Sequence, residues 1–489
     1  MKPYRLSKSK IISGLQCAKR LYLEIHQPEL REDGVQTEFL FAMGHRVGEV
    51  SQELVPGGVM IEMDNGLSGA IRETRRQLES GSAPPLFEAT FSYDNVLVRA
   101  DLFFQEKEGY RLVEVKASTG VKNYHLKDCA IQVWVIEGCG YPLCKVELAH
   151  IDNSFIYSGE NRYDGLFYHA DVTEQVNQIK MEVPRWVRQF QKMLAGGMPD
   201  IDVGPHCSDP FECPFVDHCR PSAPDYPVDI LPYGGQVIDE LLAQGIKDVR
   251  DIPAGYLTST KHERVRQVTV SGKPFVSPKI KTYLSGLTYP RYYLDFETIG
   301  AAVPVWVGTL PYQAHLPFQW SLHKETKRGD LRHKEFLDLT GVNPMRSLAV
   351  ALIEALDKKG PIIVYSHFER SVLRQLGSFF PELESDLKVL IERLDDLLPL
   401  MRDYYYHPDM MGSWSIKALL PTVAPDLSYN DLEEVQDGGG AQAAYAEAIS
   451  LPDDSDRKKC LRHNMLKYCE LDTLAMVRLV DFFQKKGRI

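Results

Sequence analysis

The sequence has no long apolar run and no excess of positive charge. Its 489 residues contain no stretch of 18 or more apolar residues, which excludes a helix that spans a membrane. The first residues, up to Lys10, lack the apolar core of a secretory signal peptide, so we expect a cytoplasmic protein. A net charge of −11 argues against broad, nonspecific binding to nucleic acid, although it leaves room for a local basic groove.

The chain also lacks internal repeats and low-complexity tails, and its composition is that of an ordinary globular protein. An apolar fraction of 44% and a charged fraction of 25% are enough to build two or three domains in 489 residues. There are nine cysteines. In a reducing compartment we expect these to be buried thiols or metal ligands rather than disulfides.

A hairpin is predicted around residues 98–118. Two runs of apolar, β-branched and aromatic residues flank a short polar break that ends in Gly109. A turn centred between Lys107 and Glu108 makes the numbers of paired residues sum to 215, so that Asp101 lies opposite Glu114. Since side chains alternate along a strand, Lys116 shares the face of Glu114.

This register gathers two carboxylates and an ammonium on one face of the hairpin. Like charges directly opposite each other are destabilising unless something binds between them. A divalent cation such as Mg²⁺ would be held by Asp101, Glu114 and a backbone carbonyl, that of Val115, leaving room for a phosphate and a water. Lys116 would then orient that water. The alternative is a solvated hairpin face, and a turn one residue longer would scatter the group.

Three cysteines stand at equal spacing in a Pro-rich stretch that predicts no regular element. Cys207, Cys213 and Cys219 form a C-x5-C-x5-C pattern, and Cys17, beside charged residues, is the best fourth ligand. Four thiolates suit a [4Fe–4S] cluster or a tetrahedral zinc ion. Such a clasp would tie the first helix to the end of the domain and should open without its metal. The alternative is a set of unrelated buried cysteines, with His206 and His218 as competing zinc ligands.

Composition shifts to Pro, Gly and polar residues between residues 221 and 290. One helical piece, residues 237–242, is predicted there, followed by a Gly-containing segment. We interpret this stretch as a helical connector, either a single helix-hairpin-helix-like unit or a plain spacer.

The last region opens with a strand that places two acids inside apolar sequence. Asp295 and Glu297 share one face of this strand, which is expensive in a core unless a cation neutralises them. A second buried strand at residues 361–365 leads to Glu369, and a late helix stacks Tyr468 over Asp472. Together these acids could converge on two cations, with Tyr468 positioning the attacking water.

Residues 1 to about 220 resemble RecB-like nucleases of the PD-(D/E)XK superfamily that carry an iron–sulfur clasp, including CRISPR-associated members. Asp101 with Glu114, Val115 and Lys116 matches the catalytic core, and Gln132 matches the family's added Gln motif. The four cysteines at 17, 207, 213 and 219 match the clasp. The family's Tyr four residues after the Gln is Ile136 here, and Gly48 stands where the family often has a His.

Residues 290–489 resemble DnaQ-like 3′–5′ exonucleases of the DEDDy type, on an RNase H-like fold. Asp295 and Glu297 match the first motif, and Tyr468 with Asp472 matches the third. The second motif normally supplies Asp, and Glu369 is preferred over His367 here because hard cations favour oxygen ligands. Residues 414–419, which include Lys417, resemble the helix between the second and third motifs. The whole arrangement is similar to bacterial proteins that couple a RecB-like module to a DnaQ-like domain.

These patterns predict an α/β protein with a restriction-endonuclease-like PD-(D/E)XK domain at residues 1–222, the connector at 223–289 and an RNase H-like (DnaQ) domain at 290–489. The expected function is a nuclease dependent on Mg²⁺ or Mn²⁺ that acts on DNA ends or single strands, without a membrane partner. Arg99, Lys122 and Arg291 are candidate phosphate contacts, with an ordinary surface charge as the favoured alternative for each. An RNA exonuclease, a nucleic-acid-binding scaffold with inactive centres, and a redox sensor that reads its cluster remain as alternatives.

Overall fold

A computed structural model describes residues 3–32, 35–80, 83–220 and 224–485 of the chain. The fold is mixed α/β with three sheets. The chain divides into two compact units, of which the first comprises Met1–Pro221 with Ala301–Tyr312 and the second comprises Ser222–Gly300 with Gln313–Ile489. In the described part of the chain, no helix has the length and apolarity needed to cross a membrane.

The first unit is built on a seven-stranded sheet covered by helices. Its strands are β1 (Leu6–Ser7), β2 (Val59–Met60), β3 (Leu86–Tyr93), β4 (Val96–Glu106), β5 (Gly109–Lys116), β6 (Leu143–Ile151) and β7 (Phe167–Asp171). Its helices are α1 (Lys8–Gln16), α2 (Ala18–His26), α3 (Val35–Glu53), α4 (Gly66–Leu78), α5 (Asn123–Gly138), α6 (Thr173–Lys180) and α7 (Val183–Leu194). The order of the sheet is β2-β3-β4-β5-β6-β7, with β1 paired to β4.

The predicted hairpin and its register are confirmed. β4 and β5 pair antiparallel through Phe104 with Arg111 and Glu106 with Gly109, so paired residue numbers sum to 215. The turn therefore falls at Lys107 and Glu108, as the polar break predicted. β6 then runs parallel to β5, with α5 as the crossover between them.

The sequence predicts one helix within the first 25 residues, entered through Ser7 or Ser9, and one long amphipathic helix over residues 179–194, and the structure breaks each of them in two. The helix expected in the first 25 residues starts after Ser7, whose hydroxyl caps it, but stops at Cys17, which has an extended backbone with φ −156°. The helix expected over residues 179–194 is interrupted before α7 because Pro184, in its first turn, has no N–H for a carbonyl of the preceding turn. A pattern of apolar residues at helical spacing does not reveal either break.

The segment Ala301–Tyr312 packs in the first unit although it follows β9 in sequence. Its Ala302 and Val303 lie in an apolar cluster with Tyr163 and Leu166, and the Tyr312 hydroxyl donates to the carbonyl of Ala117. The chain thus leaves the second unit after Gly300 and returns to it at Gln313.

The second unit contains a five-stranded sheet in the order β11-β10-β9-β12-β13, and a separate two-stranded sheet of β8 and β14. Its strands are β8 (Phe275–Val276), β9 (Arg291–Ile299), β10 (Leu316–Glu325), β11 (Leu331–Leu337), β12 (Ile362–Val364), β13 (Leu394–Asp396) and β14 (Tyr405–Tyr406). Its helices are α8 (Gly235–Ala243), α9 (Thr260–Ser271), α10 (Pro278–Ser285), α11 (Met345–Ala355), α12 (Phe368–Phe379), α13 (Glu384–Glu392), α14 (Leu397–Tyr404), α15 (Ile416–Val423), α16 (Gly438–Ser450) and α17 (Asp456–Lys485).

The strand β9 is the centre of this sheet, and its burial on both faces is confirmed. It pairs antiparallel with β10 and parallel with β12, and β10 pairs antiparallel with β11. Seven of its nine residues are buried. The long helix α17 packs against β9 and β10.

The stretch predicted as a connector has more structure than its composition indicated. It contains α8, α9 and α10 rather than one helical piece. Helix α10 packs against α17, and β8 pairs with β14, so these residues belong to the second unit. The sequence signals were weak because each helix has only 8 to 12 residues.

Arg291 is a structural residue, and its prediction as a phosphate contact is wrong. Its side chain is buried, with 1% exposed. The guanidinium donates to the carbonyls of Leu284 and Leu287 at 3.2 and 3.1 Å and to Gln484 Oε1 at 3.1 Å. It therefore joins the end of α10 to β9 and to the end of α17.

We expect Arg291→Ala to lower the free energy of unfolding by roughly 3 kcal/mol, because it leaves buried carbonyls without donors and opens a cavity. Urea denaturation followed by circular dichroism measures the change. The matched control is Arg328→Ala, at an exposed site of the same unit, with an expected change within about 0.5 kcal/mol. Equal midpoints for the two variants would contradict the structural role.

Candidate functional site

A strand and a helix of the second unit bring three acidic side chains to one place. Asp295 and Glu297 project from one face of β9, and Asp472 projects from α17, which packs on that strand. The ligand atoms of Asp295, Glu297 and Cys469 lie within 4.8 Å of one another. Glu297 and Asp472 are buried and Asp295 is partly buried. The acids predicted from separate motifs are therefore neighbours.

Glu369 joins this group, whereas His367 does not. Glu369 lies in the first turn of α12 with 2% of its surface exposed, and its Oε2 is a buried oxygen without a hydrogen-bond partner in the described structure. Its carboxylate interacts electrostatically with Asp396 and Asp472. His367 precedes the helix and is exposed. The geometry therefore agrees with the preference for Glu369.

The pKa values show that burial disfavours the ionised forms of these acids, and that neighbouring acids add to this effect at Asp295 and Glu369. Burial, reinforced by Asp472 and Glu297, raises the pKa of Asp295 well above its ordinary value. Burial also raises the pKa of Glu369 to about 8, with Asp396 adding to the shift, and that of Asp472 to about 6. Without a cation, the cluster retains protons near neutral pH.

Residues not predicted from the sequence complete the site. The Tyr429 hydroxyl donates to Asp472 Oδ1 at 2.5 Å, and the Cys469 thiol lies 3.5 Å from Asp295 Oδ2. The Lys417 ammonium lies 5.2 Å from the ring centroids of both Tyr429 and Tyr468 and donates to the Gln436 carbonyl at 2.6 Å. Burial raises the pKa of Glu297 and of Asp472, and the charge of Lys417 reduces this rise.

Only part of this second set had a signal in the sequence. Cys469 is adjacent to Tyr468 in the third motif, and Lys417 lies in the segment that resembles the helix between the second and third motifs. Tyr429 lies in a single turn of 3₁₀ helix, Tyr429–Asp431, and no periodicity marks such a turn.

In the first unit, the hairpin places Asp101, Glu114 and Lys116 as predicted. The Val115 N–H donates to Asp101 Oδ2 at 2.7 Å. Lys116 Nζ lies 2.7 Å from Glu114 Oε1. Gln132, on α5, donates to Glu114 Oε2 at 2.6 Å, so the motif glutamine reaches the same carboxylate.

Two further residues alter the chemistry of this cluster. Lys8, the first residue of α1, lies 2.7 Å from Glu114 Oε1, and Asp128, one turn before Gln132 on α5, lies 2.8 Å from Lys116 Nζ. The cluster therefore holds two ammonium groups as well as three carboxylates. The expected repulsion between Asp101 and Glu114 is relieved by Lys8 and Lys116 rather than left for a cation alone.

The two carboxyl groups of the hairpin consequently have pKa values that are shifted in opposite directions. Burial alone would raise the pKa of Glu114, but Lys116 and Lys8 hold it well below its ordinary value. Burial and the charge of Glu114 raise the pKa of Asp101 to about 7. A cation at this cluster must compete with two lysines for Glu114, which it need not do at Asp295.

The four predicted cysteine ligands line one cavity. Cys17 stands at the break between α1 and α2, Cys207 closes a short 3₁₀ helix, and Cys213 and Cys219 follow in the irregular loop. The thiols of Cys17 and Cys207 act electrostatically on both Cys213 and Cys219. His206 lines the same cavity, whereas His218 is exposed.

The spacing of these thiols is wider than a zinc site requires. A tetrahedral zinc ion with bonds of about 2.3 Å places its sulfur ligands about 3.8 Å apart. Across the residues that the structure describes, no three cysteine sulfurs lie within 4.8 Å of one another. The chemistry of the donor set, four thiols around a single cavity, fits an iron–sulfur cluster.

The remaining candidate phosphate contacts are placed differently. Arg99 pairs with Glu88 at 3.1 Å and is partly buried. Lys122 is exposed at the start of α5, with its ammonium 5.9 Å from the ring centroid of Tyr124. Of the three, only Lys122 and Arg99 have any surface for a ligand, since Arg291 is buried.

Comparison with known proteins found a family model that matches part of the chain. Residues 292–415 match the Domain of unknown function (DUF2779). This range contains Asp295, Glu297 and Glu369 but ends before Tyr468 and Asp472. The chain is also 27% identical over 230 residues to the Uncharacterized protein MG366 homolog of Mycoplasma pneumoniae. That match covers 43% of this chain and 34% of the relative, so the chain spans about a third of the relative's length.

Proposed function

We propose that this protein is a nuclease dependent on Mg²⁺ or Mn²⁺ that hydrolyses phosphodiester bonds of DNA, at ends or in single strands. The second unit carries the proposal. Asp295, Glu297, Glu369 and Asp472 would hold the cations, and Tyr468 would orient the attacking water. The unit would then be a DnaQ-like exonuclease domain, which its sheet of three antiparallel strands followed by two parallel ones supports.

The observation that carries this proposal is the imbalance of charge at the site. Four carboxylates from β9, α12 and α17 act on one another electrostatically, and Lys417 is the cation that opposes them among the charges acting on Glu297 and Asp472. A buried group of this kind is costly unless protons or metal ions neutralise it. Oxygen ligands without competing ammonium partners are those that Mg²⁺ and Mn²⁺ prefer.

The protein residues would divide the work of hydrolysis. The Tyr429 hydroxyl donates to Asp472 Oδ1, and Tyr468 also forms a side-chain hydrogen bond with this carboxylate, so that two tyrosines orient Asp472. Cys469 stays protonated, because burial raises the pKa of its thiol, and so presents a neutral neighbour to Asp295. Lys417 is placed to offset negative charge near Tyr468. Bound divalent cations would supply Lewis-acid stabilisation of the charge that develops on the phosphate.

The first unit would be a second nuclease module of the RecB-like PD-(D/E)XK type. Asp101, Glu114 and the Val115 carbonyl would hold its cation, and Lys116 would help to activate water. Since Lys8 and Lys116 already pair with Glu114, we expect weaker cation binding here than in the second unit. A module that binds nucleic acid without cleaving it is the second candidate for this unit, and the same pairing favours it.

The cysteines would hold a [4Fe–4S] cluster with a structural role. The cavity lined by Cys17, Cys207, Cys213 and Cys219 supports this assignment. Zinc remains the alternative metal, and RNA the alternative substrate, because a site built on two cations serves both nucleic acids.

We expect Asp295→Asn to slow Mg²⁺-dependent degradation of an end-labelled single strand by at least about 100-fold, because each lost cation removes several kcal/mol of stabilisation. Asp472→Asn should have a similar effect. Asp101→Asn should have a smaller effect if the second unit does most of the cleavage. Denaturing gels of matched DNA and RNA strands measure the rates and decide the substrate.

The matched control is Asp386→Asn, an exposed acid on α13 of the same unit, which should retain the wild-type rate. Thermal unfolding of each variant separates lost activity from lost structure. If neither Asp295→Asn nor Asp101→Asn slows degradation, the assignment as a nuclease is wrong.

A dependence of stability on pH follows from the raised pKa values. An acid whose pKa is raised on folding stabilises the protein fully below its unfolded value, near 4, and loses that contribution as the pH rises through its folded value. Those folded values are about 6 for Asp472 and about 8 for Glu369. In EDTA, the melting temperature should therefore fall between about pH 5 and pH 8.5.

Adding Mg²⁺ or Mn²⁺ should restore more of the melting temperature at the alkaline end than at the acidic end, because cations bind the ionised carboxylates. Glu369→Gln should reduce the fall above about pH 7, since it removes the group that titrates there. Scanning calorimetry across the pH series provides the measurement. A melting temperature in EDTA that does not fall over this range would rule out the proposed charge state.

We expect anaerobically purified protein to absorb near about 400 nm and to contain iron and sulfide, as an iron–sulfur chromophore requires. Cys213→Ser should lose most of the absorbance and make the loop at residues 195–220 more sensitive to protease. Cys144→Ser is the control, because that exposed cysteine lies on β6 and does not line the cavity. Zinc in elemental analysis, without iron, would reject the cluster.

A further inference from the structure

A second cavity of the first unit lies beside the cysteine loop. Its volume is about 340 Å³, and His206 lines both this cavity and the one that the thiols surround. The other walls include Leu15, Gln16, Tyr124, Lys127 and Pro210. A volume of this size is at the lower end of the range for small-molecule pockets. We call it the Tyr124 cleft.

Two aromatic rings stand at this cleft. Tyr124 lines it, and Phe211, on the cysteine loop, meets the Tyr124 ring edge to face with centroids 4.8 Å apart. Phe211 is 41% exposed although it belongs to a loop of polar residues and prolines. Tyr124 is partly buried, and the His125 ring also packs against it with centroids 4.3 Å apart. Aromatic rings beside an open cleft are the surfaces on which unpaired bases stack in proteins that bind single strands.

The loop wall of the cleft is fixed by the first helix. Gln16 Nε2 donates to the carbonyl of His206 at 2.8 Å and to that of Phe211 at 2.6 Å. These two bonds hold the backbone of both residues against α1. The wall of the cleft is therefore held in place by hydrogen bonds to α1.

Two lysines provide positive charge at the side of the cleft where α5 begins. Lys127 lines it, and Lys122 lies with its ammonium over the Tyr124 ring at 5.9 Å from the centroid. The acid on its wall is Asp209. Both lysines also lie at the N-terminal end of α5, where the helix dipole adds positive potential.

Helix α5 connects the cleft to the acidic cluster of the hairpin. Tyr124, Asp128 and Gln132 follow at four-residue spacing and so lie on one stripe, about 6 Å apart along the axis. Asp128 contacts Lys116 at 2.8 Å, and Gln132 contacts Glu114 at 2.6 Å. The Tyr124 hydroxyl lies near enough to Lys116 and Asp128 for their charges to shift its pKa.

We infer that the Tyr124 cleft binds an unpaired base of a single-stranded nucleic acid. Tyr124 and Phe211 provide the stacking faces, and Lys122 and Lys127 neutralise the flanking phosphates. The inference rests on the proposed function, which it deepens by giving the first unit a specific contact with a single strand.

Photochemical crosslinking tests the placement directly. The probe is a short single-stranded oligonucleotide carrying 5-iodouracil, added to the full-length protein in EDTA so that no cleavage occurs. Irradiation joins iodouracil to a stacked aromatic ring, and mass spectrometry identifies the peptide. We expect adducts on the peptides that contain Tyr124 or Phe211. Adducts only on peptides without either residue would overturn the inference.

Binding measurements provide the matched comparison. Tyr124→Ala and Phe211→Ala should each weaken the binding of a fluorescent single strand by about tenfold, as the loss of one stacked base does, and Tyr124→Trp should retain affinity. Tyr168→Ala is the control, because Tyr168 is 59% exposed on β7 of the same unit and does not line the cleft. Melting curves confirm that each variant is folded.

The outcomes separate this inference from the proposed function. If the wild type degrades strands in a manner that depends on Asp295, but both alanine variants bind as tightly as the control, the cleft assignment fails alone. If the wild type neither binds nor degrades single strands, both assignments fail.

Discussion

The electrostatic cost of gathering acids inside the second unit constrains the rest of its structure. Asp295 and Glu297 lie on the central strand of the sheet, in which seven of nine residues are buried, and Asp472 is supplied by a helix of 30 residues that packs against that strand. Carboxylates held this close repel one another by several kcal/mol where water is excluded. A scaffold that fixes them must be stabilised elsewhere, and the buried contacts of Arg291 and the β9–β10 pairing supply such stabilisation.

The two units solve the same electrostatic problem in different ways. At the hairpin, Lys8 and Lys116 neutralise Glu114 within hydrogen-bond distance. In the described structure no ammonium group lies so close to Asp295, so that protons or metal cations must neutralise the acids there. Acids that pair with lysines are neutralised without a metal ion. Acids without such partners are better placed to bind a metal cation. The second site is thus the stronger candidate for metal-dependent chemistry.

The sequence predicted those features whose signal is local. The hairpin register followed from its turn, and the burial of β9 followed from its largely apolar and aromatic composition, because pairing and burial have short-range patterns. Contacts between distant residues have no such pattern, so the approach of Lys8 to Glu114 across 106 residues was not predicted. The same holds for Tyr429, which reaches Asp472 from a single turn. Helix boundaries failed at Cys17, where one extended residue interrupts an otherwise continuous pattern.

Helix packing in the first unit also limits the structural role that a cluster bound by the four cysteines would have. Joining residues 190 apart would cost a free chain about 4–5 kcal/mol in closure entropy. Here α7 already packs against α1 and α2, and the Phe190 ring lies so near Gly14 that a Cβ there would stand 2.8 Å from it. That apolar contact closes the long loop, so the thiols need only order the short segment after Leu194. A cluster would therefore fix the wall that carries His206 and Phe211 rather than hold the unit together, and its loss should disturb the Tyr124 cleft before it disturbs the sheet.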